Sequence, residues 1–404
     1  MTEATANTAS AANGRRAVGL VCVAHFFSHF YLLLLAPLFP VMAQTYDVGY
    51  TELGFALSAF SLLSGFTQAP MGFLVDRFGP SKILIAGVAL EGLAFGLIGF
   101  FPVFGMLLVL LGIAGVANSV YHPADYAILN EVVEDSRMGR AFSFHTFSGY
   151  VGEALAPVTV LALAAWFDWR IALALCGAAG VFTAVALAVN HSVLETAAPE
   201  RTEDGKSSGP GLALLLTAPI LLGMLFFVGI SVINRGVTGF SVSALHVDHG
   251  VSLAAAGTVL SAWLFASPVG VLFGGWVADR TTRHGLFAAS CFVIMAVMIA
   301  AVAWFRPPLM VIAALFVVGG FCSGAVSPSR DMIIRSVTPP GQTGKVFGFV
   351  STGFNIGGIV APPMYGYLLD QVSADAIFWV AAAACLATMT TVLYTGNRAR
   401  LARA

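Results

Sequence analysis

The chain has 404 residues, of which 58% are apolar and 10% charged, against about 25% charged residues in soluble globular domains. The formal net charge of -1 provides no basic field for nucleic acid, and the apolar fraction excludes a disordered chain, a coiled coil and an ordinary soluble enzyme. A polytopic membrane protein remains.

A bilayer-crossing helix takes about 20 mostly apolar residues. Twelve such runs are predicted, near 18–43, 51–74, 80–101, 104–130, 139–166, 169–192, 212–240, 252–277, 285–305, 308–334, 344–369 and 375–396. They use roughly 240 residues, which leaves short loops and no room for a separate soluble domain. The expected fold is all-α: two six-helix bundles at 18–193 and 212–396.

Residues 1–17 are polar, end in Arg15 and Arg16, and read as a cytoplasmic tail. The apolar run behind them continues past Pro40, too long for the apolar part of a signal peptide, and reads as a retained first helix. It carries His25 and His29, four residues apart and so on one face, with Ser28 beside them. Either these rings are bonded into helix packing, or they are proton acceptors lining a cavity, since imidazole titrates at about pH 6.5.

The second run ends in GFLVDRFG, Gly72 to Gly79. The third holds Glu91, read as structural, and Gly92 and Gly96, spaced for close helix approach. The fourth is the most polar. Asn118, Tyr121, His122, Asp125 and Tyr126 recur at three- and four-residue spacing, a stripe angled toward a cavity. Pro123 loosens the helix there. Asp125 with His122 makes a carboxylate–imidazole pair that either exchanges protons or is static. The fifth run adds His145 and Glu153 around Gly149. Glu153 is a second candidate proton carrier, or a neutral group bonded to another helix.

The charged stretch Leu194 to Gly211, with its Gly, Ser and Pro, reads as a cytoplasmic linker. Beyond it, the seventh run carries Asn234 and Arg235, and the eighth ends in GWVADR, Gly275 to Arg280. The tenth carries Ser323, Ser327, Arg330 and Asp331 with Gly320 and Gly324, and the eleventh carries Asn355 with Gly353 and Gly357. A buried Arg keeps its charge and needs an anion. Arg330 and Arg235 hold either a carboxylate or phosphonate of a substrate or a static partner, which for Arg330 is Asp331 or Asp125. Tyr121, Tyr126, Asn234 and Asn355 would shape that pocket. Residues 397–404 read as a second cytoplasmic tail.

With the N-terminus inside, fifteen of the nineteen Lys and Arg fall on the cytoplasmic side, an asymmetry that obeys the positive-inside rule. Both termini are then cytoplasmic. The five cysteines are scattered in apolar runs without a CxxC and read as packing residues, not a disulfide or metal set.

The halves repeat. Asp76 and Asp279 are 203 residues apart, and a shift of 205 superposes Gly115 on Gly320, Pro123 on Pro328, Gly152 on Gly357 and Pro157 on Pro362. Parallel repeats are a transporter signature. Twelve spans, two matching halves and a G-x-x-x-D-R signature after the second and eighth spans resemble the major facilitator superfamily over essentially the whole chain. AHFFSHFYLLLLAPLFP and GVANSVYHPAD, with the His122–Pro123 pair, are similar to its fosmidomycin-resistance branch of efflux proteins. The resemblance implies that Asp76, Arg77, Asp279 and Arg280 latch the cytoplasmic ends of neighbouring helices as gate residues.

The expected function is proton-coupled alternating access in the inner membrane. It would move a small anionic or zwitterionic organic molecule, by preference outward, with His25, His29, His122, Asp125 and Glu153 as proton sites. The alternative is uptake of a small organic acid by proton symport. There is no Walker A motif, HExxH, GxSxG or Rossmann fingerprint. No enzyme and no cofactor are therefore expected; a membrane-embedded enzyme and a non-transporting sensor or scaffold are the other classes. The expected partners are substrate, protons and lipid, with the chain a monomer.

Overall fold

The computed structural model describes residues 3–134, 138–195, 212–338 and 343–401. Most of the predicted linker, 196–211, lies outside these, as do the side chains of Asp76, Arg137, Arg140, Arg201, Lys206, Lys345, Arg398, Arg400 and Arg403. Each predicted run has its helical counterpart. In chain order they are α1 (Glu3–Leu32), a 3-10 turn (Ala36–Leu38), α2 (Phe39–Tyr46), α3 (Tyr50–Phe78), α4 (Pro80–Ile98), α5 (Phe104–Asn118), α6 (Tyr121–Val132), α7 (Met138–Trp166), α8 (Trp169–Val189) and α9 (His191–Leu194). Then follow α10 (Leu212–Leu215), α11 (Ala218–Val247), α12 (Leu253–Ala278), α13 (His284–Phe305), α14 (Leu309–Ser336), α15 (Thr343–Gln371) and α16 (Asp375–Leu401). Among the described residues there is no strand. Ten segments are long and apolar enough to cross a membrane. The two remaining runs are α3 and α15, each of 29 residues, which at helical rise are about 43 Å long.

Three boundaries differ from the expectation. Helix α1 starts at Glu3 instead of near 18, because the polar tail is rich in alanine, the strongest helix former. The first run stops being α-helical after Leu32 and passes through the 3-10 turn at Pro37 before α2. The fourth run is interrupted at Ser119 and Val120. Pro123 has no N–H for the Ser119 carbonyl, and its ring crowds that carbonyl. Its repeat counterpart Pro328 lies inside the unbroken α14.

Helix contacts divide the chain into two compact units, 1–41 with 59–203, and 42–58 with 204–404. In the first, α1 packs on α7, α4 on α8, and α3 on α5. In the second, α11 packs on α15, α13 on α16, and α12 on α14. These pairs are the same under the sequence shift, and the glycines show it atom by atom. Gly115 lies against the Phe60 backbone and Gly320 against that of Trp263; Gly152 meets Phe26, and Gly357 meets Ser231. A Cβ on Gly92 would come within 2.8 Å of the Gly177 carbonyl oxygen. The predicted close approaches are therefore real, and a repeated sequence has produced a repeated helix pairing.

Within the second unit, Asp370 near the end of α15 caps the start of α3. Its carboxylate accepts from the Tyr50 N–H (2.9 Å), the Thr51 N–H (2.7 Å) and the Thr51 hydroxyl (2.6 Å). These donors are orphans of the first helical turn, where an anion is also favoured by the helix dipole. Asp370→Ala is expected to lower stability by about 2 kcal/mol, measurable as a lower thermal midpoint of the purified protein; an unchanged midpoint would show the cap to be idle. At the loops of the same unit, Arg306 bonds Asp248 and Asp375, and the carboxylates hold its pKa above the usual value, hydrogen bonding to Asp375 first. His249 donates to the other Asp375 oxygen at 3.0 Å.

Candidate functional site

Four of the eight histidines converge in the first unit, from α1, α6 and α7. Asp125 is fully buried. Its Oδ2 accepts from His25 Nδ1 at 3.1 Å and from His145 Nε2 at 2.9 Å, so a carboxylate there selects the tautomers that carry those two protons. The His25 and His145 rings stack at 3.6 Å between centroids. Asp125 Oδ1 has no partner among the described residues. One turn along α1, His29 Nδ1 donates to Glu153 Oε1 at 2.7 Å, and both side chains are about a quarter exposed.

Gly149 makes room for this. A Cβ there would sit 2.9 Å from His29 Cδ2 and 3.1 Å from His25 Nε2. A glycine on α7 thus lets the α1 rings reach its neighbours. Gly149→Val is expected to displace both rings or part α7 from α1, lowering stability by about 1–3 kcal/mol, read as a lower thermal midpoint of the purified protein; an unchanged midpoint would show that the rings do not need this slot. His122 is exposed, its ring 5.4 Å from that of His25 and stacked on Tyr126. Tyr126 in turn lies 5.7 Å from His145.

The sequence singled out His25, His29, His122, Asp125 and Glu153 as proton sites, and the structure places all five in this one cluster. Their pairing differs from the expectation. Asp125 bonds His25 and His145, not His122, and Glu153 bonds His29. His145 completes the trio; its position on the same run as Glu153 was the available signal. Tyr121 is a correction. Expected to shape a pocket, it is fully buried among Val120, Ala124 and Ile128, because successive residues point about 100° apart on a helix and its neighbour His122 takes the outer direction. Tyr126 is exposed. Glu91 is fully buried and accepts from Asn118, which also donates to Ser28.

With both rings neutral, the His25–Asp125–His145 trio carries the carboxylate's single negative charge, and one added proton cancels it. Charge at such depth is costly, so the trio is a place where gain or loss of one proton matters. Two imidazole nitrogens and a carboxylate oxygen lying within 4.8 Å of one another are also donors that a divalent transition metal accepts. The ring nitrogens that face the carboxylate are here engaged in hydrogen bonds to it.

The second unit supplies a cation. Arg330 on α14 donates from Nε to Asp331 at 2.8 Å. Among the described residues Asp331 is thus its ionic partner. Its Cζ lies 5.0 Å from the Phe227 ring centroid and 5.7 Å from that of Phe354, a corner formed by α11 and α15. No acceptor among the described residues meets its two terminal nitrogens. Asn234 Oδ1 accepts from Ser323 at 3.5 Å. Arg235 is half-buried, as is Asn355 beside Phe354.

Of the expected gate residues, Arg77 lies over Phe78 of its own helix. Asp279 and Arg280 are exposed, and Arg280 donates to the Trp276 carbonyl and covers its ring. Among the described contacts these cations thus hold their own helix ends, not a neighbour's.

Three comparisons bear on identity. The chain is 22% identical to the fosmidomycin resistance protein of Escherichia coli (strain K12), covering 98% of this chain and 96% of that one. It is 24% identical to the D-galactonate transporter of Escherichia coli O6:H1, covering 89% and 90%. Its fold matches a bacterial homolog of the human lysosomal transporter Spinster with a TM-score of 0.75, at 12% identity, over 96% of this chain and 97% of that one. The sequence pattern of the Major Facilitator Superfamily fits residues 21–241 and again 224–403. The chain is a multi-pass membrane protein and belongs to the Major Facilitator Superfamily of transporters.

Proposed function

We propose that this protein is a proton-coupled secondary transporter of a small organic anion or zwitterion. One observation carries the reading: a fully buried membrane-depth carboxylate, Asp125, whose hydrogen-bond partners are both titratable rings. A static counter-ion for Asp125 would be served better by Arg, which does not release its proton. Protons are taken by the trio and by His29–Glu153, with His122 and Tyr126 beside them, while Arg330, Asn234, Arg235 and Asn355 of the second unit serve the substrate. Alternating access couples the two events: competition between proton and substrate gives antiport, mutual assistance gives symport. Export is favoured by the likeness over nearly the full length to a resistance protein. Proton symport of an organic acid is the second reading, favoured by the likeness to a D-galactonate transporter and by the unoccupied edge of Arg330. The excess of Lys and Arg on one side supports an inner-membrane location with both termini cytoplasmic, and the chain acts as a monomer.

Proteoliposomes with an imposed pH gradient test this. Vesicles preloaded with a panel of radiolabelled organic acids are given an inward proton gradient. Accelerated loss of label supports antiport, and accumulation of external label supports symport. Rates indifferent to the gradient would remove proton coupling.

A further inference from the structure

The substrate groups of α14 form a graded row. Ser323, Ser327 and Arg330 follow at spacings of four and three, so they share one face. Ser323 reaches Asn234 only at 3.5 Å. The Ser327 hydroxyl makes no hydrogen bond among the described residues and is half-buried. Arg330 keeps its terminal edge unpaired while Asp331 and the two phenylalanines fix its plane. From one end to the other the row therefore offers a guanidinium fork, an unengaged hydroxyl, and a hydroxyl–amide pair.

Seven residues of helix rise about 10 Å, and side chains lean toward the helix N-terminus, which shortens the gap between guanidinium and Ser323. A molecule matching this row has a carboxylate at one end and hydroxyls along an extended chain. Its charge is also bounded. Asp331 lies 2.8 Å from Arg330 Nε, so the cation is already half answered, and a second negative charge on the ligand beside it would be repelled.

We propose that the substrate is a linear polyhydroxy monocarboxylate, of the aldonate class, its carboxylate on Arg330 and its hydroxyls on Ser327, Ser323 and Asn234. This deepens the anion reading above and rests on it. It discriminates against dianions, against uncharged sugars, and against short acids that cannot reach past Ser327.

The test is counterflow of radiolabelled D-galactonate into proteoliposomes of the full-length protein loaded with unlabelled D-galactonate. Competitors are acetate (charge without hydroxyls), D-galactose (hydroxyls without charge) and galactarate (a second carboxylate). Expected are rapid exchange and half-inhibition by unlabelled galactonate at a concentration at least about tenfold below that of any competitor. Ser327→Ala is expected to raise the galactonate requirement about fivefold, and Arg330→Lys, which keeps the charge but not the fork, by more. Acetate or galactarate competing as well as galactonate would overturn this inference and leave the anion reading standing. So would absence of galactonate exchange while other acids respond to the pH gradient. If no organic acid moves in either assay, both readings fall. The competitor series uses wild-type protein and does not depend on any variant folding.

Discussion

Asp125→Asn is expected to reduce gradient-driven transport about 100-fold or more, while exchange of substrate at equal pH on both sides survives. Asparagine fills the same space and still offers an oxygen to His25 and His145, so the packing of α1, α6 and α7 is retained. What it cannot do is carry a negative charge that a proton cancels. In the proposed cycle net transport needs the proton to enter on one side and leave on the other, whereas exchange at equal pH does not. The two vesicle assays therefore separate loss of coupling from loss of fold. Full gradient-driven transport by Asp125→Asn would remove this carboxylate from the mechanism and shift the burden to His29–Glu153. His145→Gln should move in the same direction, since it takes away one of the two rings that share Oδ2.

The second large effect is on folding. Gly324→Val is expected to destabilise the second unit by more than about 3 kcal/mol and to leave little protein that survives detergent extraction. A side chain at Gly324 runs into the backbone carbonyl of Ser267 on α12, and Gly320, one turn away, faces the Trp263 carbonyl in the same way. A flexible side chain could give way, but a helix backbone can do so only by separating α14 from α12. The middle of α14 holds Ser323 and Ser327 beside Gly324, so even protein that assembled would have the proposed substrate row shifted. Monodisperse protein at wild-type yield and melting temperature would show that this helix pair can spread at little cost.

The fold was readable because lipid imposes the simplest of rules: long apolar runs, positive charge on one side, and a repeat that survives in the glycines. Gly115 and Gly320 could be matched by position, and each proves to press on the same partner helix of its own half. The candidate site was readable residue by residue but not pair by pair. His25, His29, Asp125 and Glu153 stand out because polar groups at membrane depth are expensive. That Asp125 takes His145 instead of the nearer-in-sequence His122 depends on how α7 lies against α6, which local spacing does not contain. Tyr121 shows the opposite failure. Its spacing fitted the polar stripe, yet the stripe is wider than one face, and the tyrosine falls on the inner side. Asp370 was passed over because a carboxylate at the end of a span looks like ordinary surface until the α3 amides are seen above it.

The breaks in the backbone give the cluster a mechanical property. His25 and His29 lie in the last two turns of α1, which ends at Leu32 ahead of the 3-10 turn at Pro37, and Asp125 lies in the first turns of α6, after the gap at Ser119 and Val120. An unbroken helix resists bending along its whole hydrogen-bonded ladder, whereas these two spans each lack part of that ladder within a few turns of the cluster. If Asp125 gains and loses a proton as proposed, the break at Ser119 and Val120 is the place where α6 would pivot against α5 with few backbone hydrogen bonds to strain.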